Sequence, residues 1–426
     1  MITSALRGAA NVQRIAKKGT RNISRALASS NEFKINGAST SNSSIRKFST
    51  HQALTGSLVP PELDNYANFS PGPCNLPPPV ETAIRDAINK QGPTSLALSH
   101  RSPEFLDIMG DAVDKIRSVM SVPDNYEIIF THGGGHGQFA SVPLNLTNAP
   151  DDLVSYIISG TWSERAIVDA NKYCKTEVIK GDYKSMPEIA GKVNKDSKFV
   201  YLCSNETVNG IEVFDLPTSE ETNGVPLVVD ASSDFSSKPI CWDNVGVLFS
   251  CASKNIGHPG ITVTIIRKDL LGSPSPYCPG VFDWTMNVEA ENLWNTVATF
   301  NVEVVKFAFD WIESEGGIVE MERRSKAKAD LIYNVLDESD GYYGTPVTDK
   351  NVRSRMNVPF KIAGGDEALT EKFLIDGFDK HSFVGFRTMT PFGFGEYLRA
   401  SLYHGIDVNQ TERLADFMRT FQKENQ

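Results

Sequence analysis

Long apolar runs, paired cysteines and nucleotide-binding glycine motifs are all missing from this chain of 426 residues. No window approaches the roughly 18 uninterrupted apolar residues of a transmembrane helix, so no membrane span is predicted. The six cysteines show neither a CxxC pair nor metal-ligand spacing, which predicts no metal site and favours reduced thiols in the core. Because the patterns GxxxxGKS/T and GxGxxG are also absent, the chain has neither a P-loop nor a dinucleotide fingerprint.

Acidic residues are nearly absent from the first 48 positions, which hold nine Lys or Arg and a single acid, Glu32. A segment that is basic, rich in serine and poor in acids has the composition of a transit peptide. The tripeptide Arg46-Lys47-Phe48, followed by Ser49, resembles a mitochondrial processing site. We therefore predict a transit peptide over residues 1–48 and a mitochondrial location, with a plastid address or a disordered basic tail as the alternatives.

The rest of the chain has an acidic balance. Nine of the 42 basic residues and one of the 52 acidic residues lie in 1–48. The remaining residues therefore include 33 basic and 51 acidic side chains, a net charge of −18. Such a body argues against nucleic-acid binding, which needs a basic face. Local arginines, and not the overall field, would then have to capture an anionic substrate.

Strand-like and helix-like segments alternate from about residue 127 onward. Apolar runs separated by helical patterns indicate an α/β fold with a mostly parallel central sheet covered by helices. The predicted strands are Glu127–Thr131, Leu153–Ser159, Lys198–Cys203, Pro226–Asp230, Val245–Cys251 and Ile261–Arg267. We predict a large domain over 62–318 and a smaller C-terminal α/β domain over 319–426, on which the segment 62–75 could pack.

Two charged residues follow apolar strands of this predicted sheet. Asp230 ends one strand, and Lys254 stands just past the next, 24 residues later. Ligands bind beyond the carboxyl ends of parallel strands, where a desolvated lysine amine could form a Schiff base with the aldehyde of pyridoxal phosphate. The carboxylate would then pair with the protonated ring nitrogen. The alternatives are a solvated surface lysine and an aspartate that caps a helix.

Three polar turns follow other strands of the same sheet. Gly133–Phe139 opens a helix, and its glycines and free N–H groups could bind a phosphate. In Gly160-Thr161-Trp162-Ser163 the tryptophan could stack on a flat ring, and in Asn205-Glu206-Thr207 the threonine hydroxyl could bond a phenolic oxygen. Each motif alone is also compatible with a tight turn, a core tryptophan or a helix cap.

Taken together, these motifs resemble the phosphoserine aminotransferase family, in the family's order and over roughly residues 65–410. The segments that carry the resemblance are Asn68–Pro73, Ser99–Ser102, Gly133–Phe139, Gly160–Ser163, Asn205–Thr207, Asp230–Asp234, Ser253–Gly260 and Met356–Phe360. The resemblance implies a fold-type I, class V aminotransferase that depends on pyridoxal phosphate and works as a homodimer. It implies transfer of the amino group of L-glutamate to 3-phosphohydroxypyruvate, which gives O-phospho-L-serine and 2-oxoglutarate.

The resemblance also implies a role for each matched residue. The implied catalytic residues are Lys254, Asp230 and Trp162. The implied cofactor-binding residues are Gly135, His136, Trp162, Thr207, Asp230, Ser253 and Lys254, with Asn295 and Thr296 reaching the phosphate of the neighbouring subunit. The implied substrate-binding residues are His100, Arg101, Arg387 and Arg399.

The sequence departs from the family pattern at several points. Ser253 stands where the family usually has glutamine, and a long insertion separates Arg387 from Arg399. A basic residue is missing at Ser382, which Arg387 could replace as a second clamp on the substrate phosphate. Substrate specificity is therefore less determined than cofactor chemistry. The alternatives are an alanine–glyoxylate type aminotransferase, a cysteine desulfurase and a catalytically silent homologue. The desulfurase is disfavoured because this chain has no cysteine in an obvious active-site loop.

Overall fold

The structure, a computed structural model, describes residues 66–386, 393 and 395–426. The predicted transit peptide over 1–48 therefore lies outside the described residues. Within them the strands are β1 (Ala67–Asn68), β2 (Tyr126–Thr131), β3 (Leu153–Ile158), β4 (Lys175–Lys180), β5 (Val200–Cys203), β6 (Asn205–Glu206), β7 (Ile211–Glu212), β8 (Leu227–Asp230), β9 (Val245–Cys251), β10 (Thr262–Arg267), β11 (Tyr343–Gly344), β12 (Asn357–Ile362), β13 (Phe383–Val384) and β14 (Leu398–Ser401). The helices are α1 (Pro78–Asn89), α2 (Pro103–Val119), α3 (Gly134–Leu146), α4 (Thr161–Ala170), α5 (Trp284–Glu289), α6 (Thr299–Ser314), α7 (Gly317–Glu338), α8 (Glu367–His381) and α9 (Val408–Asn425).

A seven-stranded sheet lies at the centre of the fold, in the order β2-β10-β9-β8-β5-β3-β4. Strand β10 is antiparallel to both of its neighbours, and the remaining pairs are parallel, so six strands point the same way. Strands β5 and β8 are buried along their whole length, as expected where helices cover both faces. The predicted mostly parallel α/β sheet is confirmed, and six strands share one carboxyl edge.

The two faces of the sheet have separate cores because side chains alternate along each strand. In β8 and β5, for example, Val229 and Leu202 face a core that includes residues of α2 and α6. Their neighbours Val228 and Tyr201 face a second core, which includes residues of α3 and α4. Each face is therefore closed by helices, and the ends of the strands are left as the place where a ligand can reach the sheet.

A third core lies under the C-terminal part of the chain. It joins apolar side chains of α7, α8, α9, β12 and β14. Ala67 and Phe69 belong to it as well, since β1 pairs in parallel with β13. The described residues belong to one compact unit. Within this unit the third core is a separate cluster from the two cores of the central sheet. The division into domains at 318/319 stays a prediction.

Two features of the structure differ from the sequence expectations. Strand β4 was not predicted because it lies at the edge of the sheet, and its mixed polar and apolar residues form no apolar run. The six cysteines are free, but they are not all core thiols, since Cys241 is exposed and Cys251 and Cys278 are only partly buried. In the described part of the chain, no helix combines the length and apolar character needed to span a bilayer.

A buried lysine ties helix α7 to the chain that follows β14. Lys328 Nζ donates to the carbonyl oxygens of Leu402, Tyr403 and Ile406 at 2.7, 2.9 and 2.8 Å. We expect Lys328→Met to lower the free energy of unfolding by about 3 kcal/mol, because methionine keeps the packing of the stem but leaves buried carbonyl oxygens without a donor. Urea denaturation of the purified protein measures this loss.

Lys326→Met is the matched control for this prediction. Lys326 lies on the same helix, is exposed and pairs only with the surface carboxylate of Asp330 among the described ion pairs. Its substitution is expected to change the free energy of unfolding by no more than about 0.5 kcal/mol. Equal losses in the two variants would contradict the structural role of Lys328.

Candidate active site

The carboxyl edge of the central sheet brings most of the predicted site residues together. Strands β2, β3, β5, β8 and β9 all end at this edge. The glycine turn (Gly133–Phe139) follows β2, the tryptophan turn (Gly160–Ser163) follows β3, and the threonine turn (Asn205–Thr207) follows β5. Asp230 ends β8, and the lysine turn (Ser253–Gly260) follows β9. Residues that are far apart in sequence thus become neighbours because their strands are parallel.

Asp230 is a buried carboxylate with two hydrogen bonds. Its Oδ2 accepts from the hydroxyl of Tyr201 at 3.1 Å, and its Oδ1 accepts from the backbone N–H of Ser232 at 3.0 Å. Burial raises the pKa of Asp230, although these hydrogen bonds and the nearby Lys254 oppose the rise. A buried carboxylate is stabilised by a cationic partner, which the protonated nitrogen of a pyridine ring would supply.

The turn that carries Lys254 is held in place by contacts from distant segments. Cys74 Sγ donates to the carbonyl oxygen of Lys254 at 3.3 Å, and Asn255 Nδ2 donates to the carbonyl oxygen of Phe235 at 2.9 Å. A Cβ at Gly72 would lie 3.2 Å from Lys254 Cγ, and the φ of Gly72 is +121°. Glycine is therefore needed there, both for the backbone conformation and for the close approach of the lysine stem.

Opposing effects act on the pKa of Lys254 in the cofactor-free protein. Desolvation acts to lower its pKa, as expected, but the acidic groups of Cys251, Tyr403 and Asp230 raise it, and the resulting pKa is above the ordinary value. Desolvation by itself therefore does not lower the pKa of this amine in the cofactor-free protein, and its role as the nucleophile stays a prediction. A cation paired with Asp230 would offset that carboxylate and bring the pKa of Lys254 back down.

The hydroxyl of Thr207 indicates most clearly that a ligand belongs at this edge. Thr207 is 3% exposed, and its Oγ1 is buried without a hydrogen-bond partner among the described residues. Leaving a buried hydroxyl unpaired costs about 1–3 kcal/mol, so such a group usually has a functional reason. A ligand oxygen at this position would remove the cost, as the predicted contact with the cofactor ring requires.

Trp162 lies half-buried in the first turn of α4, beside the glycine turn. Its ring meets that of His136 edge-on, with centroids 5.9 Å apart, and the guanidinium of Arg165 lies 5.1 Å from its centroid. A Cβ at Gly135 would come within 3.9 Å of Ser232 Oγ. The glycine turn and the tryptophan turn therefore lie next to each other, and the glycine turn also approaches the segment after β8.

Arg399 joins the third core to this edge of the central sheet. It lies in β14, is only 5% exposed, and donates from NH1 to the carbonyl oxygen of Thr207 at 2.9 Å. The bond fixes a buried guanidinium beside the residue whose hydroxyl is unpaired. The predicted role of Arg399 in binding a substrate carboxylate stays a prediction.

The other predicted residues are less closely tied to the site. Ser253 is half-buried, with Oγ 3.6 Å from Cys251 Sγ. Among the described hydrogen bonds none links His100, Arg101, Asn295 or Thr296 to Lys254 or Asp230; Arg101 is exposed, and Asn295 Nδ2 donates to the carbonyl oxygen of Thr296 at 3.4 Å. His100 Nε2 is buried without a partner in the described residues. Arg387 lies outside the described residues.

Two residues at the site were missed from the sequence. Tyr201 donates to Asp230 and stacks on Tyr156 with ring centroids 4.8 Å apart. Glu206 accepts hydrogen bonds from the first turn of α4. Tyr201 gives no signal within an apolar strand, whereas a glutamate directly after such a strand could have been recognised as an unusual buried charge.

The residues at this edge fit pyridoxal phosphate. They include an amine at Lys254, a buried carboxylate at Asp230, an unpaired hydroxyl at Thr207 and an aromatic ring at Trp162. The glycine turn at the start of α3 adds free N–H groups of a helix N-terminus, which favour a phosphate. In the described residues no group of three or more His, Cys, Asp or Glu is arranged to hold a metal ion.

Comparison with known proteins leads to the same chemistry. The family model described as aminotransferase class V matches residues 66–414. The chain is 37% identical over 367 residues to a probable phosphoserine aminotransferase of Caenorhabditis elegans, which covers 84% of this chain and 96% of the relative. The solved phosphoserine aminotransferase of Bacillus circulans subsp. alkalophilus is 30% identical with a TM-score of 0.79, over 84% of this chain and 99% of that one. The pyridoxal phosphate-bound phosphoserine aminotransferase of Trichomonas vaginalis is also 30% identical, with a TM-score of 0.74 and coverages of 83% and 99%.

Proposed function

The chain belongs to the class V aminotransferase family, and on this premise we propose that it is a phosphoserine aminotransferase of serine biosynthesis. It transfers the amino group of L-glutamate to 3-phosphohydroxypyruvate and forms O-phospho-L-serine and 2-oxoglutarate. The observation that carries the proposal is the carboxyl edge of the sheet, where Asp230, Thr207 and Arg399 meet near Lys254.

The chain's own residues would hold the cofactor from several sides. When bound, pyridoxal phosphate supplies an aldehyde for the amine of Lys254 and an aromatic ring that can accept the electron pair released at the substrate Cα. Asp230 would keep the ring nitrogen protonated, the Thr207 hydroxyl would bond a ring oxygen, and Trp162 would pack against the ring. The turn with Gly135 and His136, together with Ser253, would provide donors for the phosphate.

Lys254 and Arg399 also act on the substrates. Lys254 Nζ serves as the base that removes the proton from Cα of glutamate, and it returns a proton to Cα of phosphoserine in the second half of the reaction. Arg399 binds the carboxylate common to all four substrates and products, so that the Cα–H bond points in one direction. Such positioning supplies up to about 7–11 kcal/mol in the best intramolecular cases.

We also propose that the protein works as a homodimer in which Asn295 and Thr296 bind the cofactor phosphate of the neighbouring subunit. The large side chain of Trp294, directly before this segment, supports it, since this residue is 45% exposed. Covering such groups is a usual function of subunit contacts. Sedimentation that shows an active monomer would contradict the proposal.

A mitochondrial location is proposed from the basic, acid-poor composition of residues 1–48 alone. A fusion of these residues to a fluorescent protein tests it in cells, with import into mitochondria as the expected result. Import into plastids would support the alternative address. A fusion that stays in the cytosol would indicate a basic tail without a targeting role.

Steady-state kinetics with a panel of keto acids tests the reaction itself. With L-glutamate as donor, we expect kcat/KM for 3-phosphohydroxypyruvate to exceed that for glyoxylate or pyruvate by about 10⁴-fold, because a site built to bind a polar group rejects analogues that lack it. Preference for glyoxylate would instead identify an alanine–glyoxylate type enzyme. A cofactor spectrum that glutamate leaves unchanged would identify a catalytically silent homologue.

Arg399→Lys tests the assignment of the substrate carboxylate. A lysine keeps the charge but loses the planar pair of donors, so we expect kcat/KM for glutamate to fall roughly tenfold to a hundredfold. The cofactor spectrum should be unchanged. Arg419→Lys, on the exposed face of α9, is the control and should leave kcat/KM at its wild-type value. Loss of cofactor with unchanged KM would assign Arg399 a different role.

A further inference from the structure

A short turn after β5 makes an unusual set of contacts with the start of helix α4. Glu206, which is fully buried, accepts the backbone N–H of Trp162 at 2.8 Å and that of Ser163 at 2.9 Å. Its Oε1 also accepts the hydroxyl of Ser163 at 2.6 Å. A charged side chain therefore takes the place that a helix cap usually has, although it comes from another part of the chain.

Asn209 completes this arrangement from the same turn. Its Oδ1 accepts the backbone N–H and the hydroxyl of Thr161, at 2.9 and 3.1 Å. A Cβ at Gly160 would lie 2.5 Å from Asn209 Oδ1 and 2.6 Å from Glu206 Cδ, so only glycine allows the two segments to approach this closely. The first three N–H groups of α4 are thus all bonded to side chains of the turn that follows β5.

The same turn holds the other side of the site. Thr207 follows Glu206 directly, and its carbonyl oxygen accepts from Arg399. The backbone at Glu206 is fixed as well, because its carbonyl oxygen accepts the N–H of Gly210 at 2.8 Å. One carboxylate therefore links the residue that would cover the cofactor ring to the residue whose hydroxyl is unpaired.

We propose that Glu206 is a positioning residue for the cofactor, because it sets the ring of Trp162 and the hydroxyl of Thr207 at a fixed distance from each other. The inference rests on the proposed function only in taking pyridoxal phosphate as the ligand between them. Glu206 touches neither substrate nor cofactor itself. It acts through the first turn of α4, where loss of the carboxylate would let the tryptophan turn shift against the threonine turn.

The charge of Glu206 offers a way to test this role. Burial raises its pKa to about 7, the hydrogen bonds from Ser163 and Trp162 oppose the rise, and the carboxylate of Asp230 adds to it. Tyr201 and Cys203 also lie within electrostatic reach of Glu206. The ionised fraction of Glu206 is therefore expected to fall between pH 8 and pH 6.

Glu206→Gln is the diagnostic substitution, because an amide keeps the size but places an N–H donor where the turn needs an acceptor. We expect the dissociation constant of pyridoxal phosphate to rise roughly tenfold to a hundredfold at pH 8. The visible circular dichroism of the bound cofactor should weaken, since the ring is no longer held in one orientation.

Glu164→Gln is the matched control on the same turn of α4. Glu164 is exposed and bonds Lys180, so its substitution should change neither the affinity nor the dichroism. The dissociation constant of Glu206→Gln divided by that of the wild type should be smaller at pH 6 than at pH 8, because a smaller fraction of wild-type Glu206 is ionised at pH 6. Asp230, Tyr201 and Cys203 are present in both proteins, so only the part of their titration that depends on the charge of Glu206 remains in this ratio.

A purely structural role predicts a different result. Glu206→Gln would then lower Tm but leave the affinity and dichroism of the bound cofactor at wild-type values, and this outcome would overturn the proposal. A ratio that is the same at pH 6 and pH 8 would overturn the dependence on the carboxylate charge. These measurements need no keto acid, so an enzyme that failed to use 3-phosphohydroxypyruvate would refute the proposed function and leave this test intact.

Discussion

Replacing Lys254 by alanine is expected to reduce kcat by more than about 10⁴-fold, beyond the usual contribution of one acid–base group. The variant loses both the amine that attaches the cofactor and the base that moves the proton at Cα. The near-visible absorbance that reports the covalent lysine–cofactor bond should also disappear. Absorbance spectra and steady-state rates of the purified variant measure the two effects separately.

Lys268→Ala is the control for this experiment. Lys268 follows β10, the antiparallel neighbour of β9, and therefore lies at the opposite edge of the sheet, where it pairs with Glu127. It is exposed, so its loss should leave spectrum and rate unchanged. A Lys254→Ala variant that keeps both the absorbance and the turnover would refute the assignment of this site.

Asp230→Asn is expected to lower kcat/KM by about 10³-fold, comparable to the loss of one preorganised electrostatic group. The amide has nearly the same shape and can still accept the backbone N–H of Ser232, but it can no longer hold a proton on the ring nitrogen. The affinity for the cofactor should fall less than the rate, because the contacts of Lys254 and Thr207 remain. Kinetics and equilibrium binding of the cofactor together show this difference.

The stability of the cofactor-free protein provides a second measurement on the same variant. Burial raises the folded-state pKa of Asp230 above its unfolded value, so the wild type loses stability as the pH rises from the unfolded pKa through the folded one. Asparagine removes this loss, and Tm at pH 8 should be equal to or higher than that of the wild type. Asp243→Asn, an exposed change before β9, is the control for both measurements. A markedly lower Tm at pH 8 would mean that the hydrogen bonds and nearby charge at Asp230 outweigh the cost of burying it.

The alternation of apolar runs and helical patterns was enough to predict the central sheet. Strand β9 has the predicted bounds, whereas β8 begins one residue and β5 two residues later than predicted. Buried strands are readable because both faces select apolar side chains. Edge strand β4 could not be read in this way, since only Ile179 of its six residues is buried.

The residues of the candidate site could be predicted from the sequence, but their contacts could not. Lys254 and Asp230 stand out in the sequence because charged residues directly after apolar strands are unusual. Their contacts do not stand out: Tyr201 on Asp230 and Cys74 on the carbonyl oxygen of Lys254 come from segments 29 and 180 residues away. No local pattern specifies such pairs, because they depend on the order in which the strands assemble.

By itself the sequence determined the strand and helix pattern, the residue types at the ends of the strands and the family to which they point. The direction of the Lys254 pKa, the pairing of Arg399 with Thr207 and the attachment of Glu206 to the first turn of α4 were decided only by the tertiary structure. The physical reason is that residue type follows from local burial, which leaves a periodic signal along the chain. Electrostatics and hydrogen bonding depend on which distant segments meet in a medium of low dielectric constant.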